Sequence, residues 1–127
     1  MATPSNRAGM PTRIQVGNRT LRFRFVSPKT RPEMHGYNGL TYLDEGEILI
    51  DRSLLHDKPL DSFVEVVVHE IFHVIHYVHG VDDDSKEEQF TDAQAKGWLA
   101  FLLHNPRFAQ WLDGRLTAIR KARKAIT

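Results

Sequence analysis

Cysteine is absent from the 127 residues, so disulfides, thiolate metal sites and cysteine nucleophiles are excluded, and any metal must be held by histidine and carboxylate side chains. Long apolar runs are also missing. No stretch approaches the ~18 residues of a membrane span, and Met1–Met10 has no apolar core of the secretory type. The expectation is a soluble cytoplasmic protein with no membrane partner. Methionine is scarce, and all three copies, Met1, Met10 and Met34, lie in the first third of the chain. Net charge is only +1, yet it is unevenly spread. Residues 1–34 carry seven Arg or Lys against Glu33, residues 105–127 carry six against Asp113, and the acids are concentrated between. Basic flanks of this kind suit a weak nucleic-acid contact, although most such runs are simply solvated faces. A chain of this length supports one hydrophobic core and leaves no room for a separate substrate domain.

The most informative stretch is Val66-Val67-Val68-His69-Glu70-Ile71-Phe72-His73-Val74-Ile75-His76-Tyr77. At about 100° per residue, His69 and His73 share one helical face one turn apart, so both imidazoles can reach a single ion. Glu70 falls beside that ion, where a carboxylate can act as a base on water. This is the His-Glu-x-x-His arrangement of zinc peptidases. Burying these polar groups on an otherwise Val/Ile/Phe helix without partners would cost several kcal/mol, which argues against a purely structural role.

Around it, the spacing predicts a disordered tail over residues 1–12 and a single domain over 13–127. Arg13–Val16 and Arg19–Val26 read as strands joined at Gly17-Asn18, since Leu21, Phe23 and Phe25 alternate with Arg22 and Arg24. Leu40–Leu43 and Glu47–Asp51 form a second pair around Asp44-Glu45-Gly46. Pro59 ends any helical turn begun at Arg52, and Ser62-x-x-Glu65 reads as a capping box for a helix running to His79 and stopped by Gly80. Ser85-x-x-Glu88 is a second box, opening a helix that ends near His104. Asn105-Pro106 then starts a last helix carrying Phe108, Trp111, Leu112, Leu116 and Ile119. The expected fold is α+β: a small antiparallel sheet of three to four strands packed on a long active-site helix, with two further C-terminal helices.

Catalytic zinc needs a third protein ligand. His76 lies ~10.5 Å along the axis from His69 and cannot share an ion with both histidines on a straight helix. His79 has metzincin spacing, but His76 occupies the position where that class needs a bending glycine, and no methionine follows for its Met-turn. Beside His79, the other candidates are Glu87, Glu88 and Asp92, all near the start of the next helix.

The succession Glu47-Ile48-Leu49-Ile50-Asp51, Val68-His69-Glu70-Ile71-Phe72-His73-Val74-Ile75-His76-Tyr77, Glu88-Gln89-Phe90 with Ala95-Lys96-Gly97-Trp98, and Leu103-His104-Asn105-Pro106 resembles the small phage and prophage zinc metallopeptidases. These are similar to minimal gluzincins of the ImmA/IrrE and SprT-like kind. The likeness spans about residues 35–112, with Thr91 and Gln94 standing where that family is apolar. It implies a zincin-like fold, host-cell cytoplasm as the location, and a glutamate ligand nine residues before the helical glycine, which is Glu88 counted from Gly97.

The expected function is therefore an endopeptidase acting on a protein or peptide substrate. His69, His73 and Glu88 hold Zn2+, and Glu70 takes a proton from metal-activated water and passes it to the leaving amine. His76, Tyr77, Tyr42 and His35 are candidate donors to the oxyanion. The alternative is a metal-stabilised regulatory or nucleic-acid-binding or protein-binding module with little or no peptidase activity.

Overall fold

The computed structural model describes residues 9–56, 58–79 and 87–126, and for 87–92 and 125–126 the backbone alone. Four strands are followed by three helices: β1 (Arg13–Val16), β2 (Arg19–Val26), β3 (Gly39–Tyr42), β4 (Glu47–Asp51), α1 (Leu60–Val78), α2 (Glu87–His104) and α3 (Pro106–Ile126). Short 3-10 turns occupy Pro32–Met34 and Arg52–Leu55. The class is α+β, and among the described residues no helix is long and apolar enough to cross a membrane.

The sheet order is β1-β2-β4-β3, and it is mixed, not antiparallel as the strand pattern suggests. β1 pairs antiparallel with β2 and β3 antiparallel with β4, but β2 and β4 run parallel, with Phe23 opposite Ile48 and Phe25 opposite Ile50. The cause is the connection over 27–38. It carries the chain past the position of β4 before β3 begins, and the β3-β4 hairpin then lays β4 back between β2 and β3. A two-residue turn at Gly17-Asn18 closes the first hairpin. Gly17 sits at φ 60, a left-handed conformation that costs glycine little.

Alternation divides each strand between two faces. Ile14, Val16, Leu21, Phe23, Ile48 and Ile50 are buried against the helices. Leu49, on the opposite face of β4, is fully buried apart from that cluster, as is Met34 on the first 3-10 turn. From α1 the core takes Phe63, Val67, Ile71 and Val74, which recur at helical spacing, together with Val64 and Ile75. α2 and α3 complete it with a run of rings: Trp98 on Phe101, Phe101 on Phe108, Phe108 on Trp111 and Trp111 on Phe63, with centroids 5.1 to 5.9 Å apart.

Helix starts differ from the capping-box reading in one case. α1 begins at Leu60 with Pro59 in the cap position and no side-chain cap, so the Ser62/Glu65 pair lies inside the helix. Proline's fixed φ leads the chain into the helix directly. The Ser85 box lies outside the described residues, as do residues 1–8 of the expected tail. Met10 packs against the core, and the Thr12 carbonyl accepts a hydrogen bond from the Phe23 N–H at 2.9 Å.

Two close approaches set where α1 lies. A Cβ at Gly97 would overlap Ile75 and the His79 ring, so α2 crosses α1 at a distance that glycine alone permits. A Cβ at Gly39 would sit 2.9 Å from Glu70 Cγ and 3.0 Å from its Oε2, so the backbone of β3 lies directly against the His69–His73 stretch of α1.

Candidate metal centre

α1 presents two opposed faces. Its apolar side is held by the sheet, which fixes the rotation of the helix and turns His69 and His73 outward, both exposed. Their Nε2 atoms are 3.1 Å apart and their rings meet edge to face, at 81° and 4.7 Å between centroids. Two zinc–nitrogen bonds of ~2.0–2.1 Å at a tetrahedral angle span about 3.3 Å. The histidine pair therefore fits one ion without rearranging. His69, Glu70 and His73 bring one ligand atom each within 4.8 Å of one another, and they are the group of this kind among the described residues.

Glu70 is the buried charged residue of the core, 5% exposed. Its two oxygens are in different surroundings. Oε1 accepts a hydrogen bond from Thr41 Oγ1 at 2.7 Å, while Oε2 lies 4.0 Å from His69 Nε2. A carboxylate anchored on one oxygen and turned toward the histidines on the other is placed to handle a proton beside an ion, not to ligate it.

β3 is an edge strand, paired on one side by β4 and open on the other. Along it runs a groove. One part, of about 740 Å³, is walled by Tyr37, Leu40, Leu43, His73, His76 and Tyr77. A second part, of about 260 Å³, continues past Asn38, Glu65 and Val66, and the two share Tyr37, Gly39, His69 and Glu70. The histidines thus stand midway along an open channel. Arg19 braces its far wall, donating from Nη1 to the Leu43 carbonyl at 3.1 Å with its guanidinium 5.0 Å over the Tyr77 ring.

Neither a family model nor a curated protein nor a solved structure matches this chain.

Of the residues singled out by sequence, His69, Glu70 and His73 come together as the helical spacing requires. His76 and Tyr77 line the groove, while Tyr42 and His35 are not among its lining residues. His79, at the end of α1, turns its ring toward Gly97 of α2 and is not in the histidine group. The side chains of Glu88, Glu87 and Asp92 lie outside the described residues. Sequence reasoning missed Thr41 and Gly39. The available signal was their two-residue spacing in a strand, which puts both on the face that meets α1, but nothing in the sequence says that this strand is the neighbour of Glu70.

Proposed function

We propose that this protein is a zinc-dependent endopeptidase that cleaves a protein or peptide substrate. The observation supporting it most strongly is the pair of imidazole nitrogens 3.1 Å apart beside a buried carboxylate that Thr41 holds from an open sheet edge. His69 and His73 would hold the ion, with Glu88 as the proposed third ligand. When bound, the ion supplies a Lewis acid that polarises the scissile carbonyl and acidifies water.

The remaining work falls to the chain itself. An extended substrate adds to β3 by main-chain hydrogen bonds, which sets its carbonyl above α1. Glu70 Oε2 accepts the proton of the attacking water and returns it to the leaving amine. Thr41 keeps Oε1 occupied, so Glu70 offers one oxygen in one orientation. Tyr37, Leu40, Leu43 and Tyr77 exclude water from either side of the scissile bond.

Glu70→Gln keeps the shape of the side chain and removes its basicity. The expected result is loss of peptide cleavage by at least ~100-fold, the usual contribution of a positioned acid–base group, with zinc content by elemental analysis unchanged. Equal turnover in this variant sinks the assignment of the base. A wild-type protein that holds zinc through the two histidines and cuts no member of a diverse peptide library would favour the metal-stabilised binding module instead.

A further inference from the structure

The groove along β3 differs in chemistry between its two ends, and this difference bears on which peptides the site takes. β3 and α1 run in the same sense beside it. Asn38 shares one end with Glu65 and Val66, Leu43 shares the other with His76 and Tyr77, and Gly39 and Thr41 meet Glu70 between them.

The main chain of β3 shows how a peptide would lie there. The Asn38 carbonyl accepts from the Asp51 N–H at 2.9 Å, and the register sets Gly39 opposite Ile50. Bonded and non-bonded pairs alternate along an antiparallel ladder, so Asn38 and Leu40 direct their main-chain groups to β4, while Gly39 and Thr41 turn theirs to the open edge. These are the two residues that also touch Glu70. A strand added at this edge is therefore hydrogen-bonded beside the carboxylate. Antiparallel addition, the more stable kind, runs its N-terminal half toward Leu43 and its C-terminal half toward Asn38.

The Leu43 end is apolar. Tyr77, 50% exposed, lines it with Leu40 and Leu43, and exposed apolar surface gathered in one place suits an apolar side chain. The Asn38 end carries Glu65, which is exposed and takes part in no ion pair among the described residues, whereas Glu33, Glu47 and Asp61 are each matched with an arginine. Among the described residues no lysine or arginine lines either part of the groove. A cation arriving at Glu65 thus meets no competitor.

We propose that Glu65 is a specificity-determining residue, and that the peptides taken at β3 carry, from N- to C-terminus, a large apolar side chain for the Leu43 end and a lysine or arginine for Glu65. This rests on the proposed reading of β3 as the substrate-binding edge. Spacing follows from α1. Between Tyr77 and Glu65 the helix axis covers about 18 Å at 1.5 Å per residue, the span of about five extended residues at ~3.3 Å each. Glu70 falls within that span, so the two selected side chains lie on opposite sides of the bond beside it.

Fluorescence anisotropy at low ionic strength tests this with the Glu70→Gln chain, which separates binding from cleavage. The probe is the labelled, end-blocked peptide Phe-Ala-Thr-Ala-Thr-Lys. It should bind about fivefold more tightly than the same peptide ending in Glu, the scale of an exposed ion pair. Adding Glu65→Gln should erase that preference, and Glu65→Lys should reverse it, with circular dichroism unchanged in both. No saturable binding of the Lys peptide, equal affinity for the Lys and Glu peptides, or a preference that survives Glu65→Lys overturns the proposal. Tighter binding of the reversed sequence Lys-Thr-Ala-Thr-Ala-Phe overturns the order assigned to the two ends. Charge-selective binding by a wild-type chain that cuts none of these peptides would sink the peptidase reading and leave this inference standing, whereas cleavage by the wild-type chain indifferent to the Lys-to-Glu change would do the opposite.

Discussion

At the scale of single residues, the proposed metal centre depends on a contact that offers no spare volume. Gly39 faces Glu70 so closely that a methyl group would sit 2.9 Å from its Cγ. Gly39→Ala should therefore push the carboxylate off its hydrogen bond to Thr41. A displacement of ~1 Å at such a group can cost about 100-fold in rate, and the added methyl about 1–3 kcal/mol in stability. The histidines are untouched, so zinc stoichiometry should be retained while kcat falls. Full activity in Gly39→Ala would show that the position of Glu70 tolerates this intrusion and would remove the role given to the β3 backbone.

Among the elements, the two edges of the sheet are treated differently. Asn105 places its side-chain amide against Gln15 as a partner strand would, giving one hydrogen bond and taking another, while β3 keeps its outer edge open beside the groove. Asn105→Ala would strand both Gln15 groups and the Phe101 carbonyl. Each unsatisfied group costs about 1–3 kcal/mol where it stays buried, so a lower urea midpoint is expected, with the zinc-binding stoichiometry unaltered. An unchanged midpoint would mean that water replaces the amide at no cost.

This asymmetry also marks how far the sequence could be read. β1, β2 and β4 emerge with the limits that alternation predicts, and α3 starts at Pro106 as the Asn-Pro pair suggests. Those features are local, written in consecutive residues. The parallel pairing of β2 with β4 is not, because it depends on how the segment over 27–38 travels, and prolines mark a connection without giving its direction. The same holds for the centre. His69, Glu70 and His73 are legible because one helix carries all three at fixed angles. Thr41 and Gly39 reach Glu70 from 29 or more positions upstream, through a register that only the assembled sheet defines.

For the whole molecule, the proposed ion should act as a ligand of the folded state. The two histidines are aligned by α1 packing on the sheet, an arrangement that the unfolded chain lacks. At free zinc a thousandfold above Kd, the native state gains about 4.1 kcal/mol. For a chain of this size that corresponds to a rise in Tm of roughly 10–20 °C. Differential scanning fluorimetry with and without a chelator measures it, and His69→Ala/His73→Ala should abolish the shift. A Tm indifferent to zinc in the wild-type protein would argue that no ion is held there.

Charge is also distributed at this scale. Arg123 near the end of α3 reaches back to Asp61 at the start of α1, 3.2 Å away, so part of the basic C-terminal flank is tied to the fold. Exposed pairs of this kind contribute little stability.

The amide of Asn105 has one more effect. With Gln15 in the middle of β1 occupied, β3 is the edge left open among the described residues, and two copies joined there leave each partner with no comparable rim for a third. Association by that route stops at a pair instead of extending into a fibre. Because the shared rim borders the histidines, such a pair would cover both channels at once. If the chain cleaves peptides as proposed, crowded solutions should thus lose specific activity before they lose clarity.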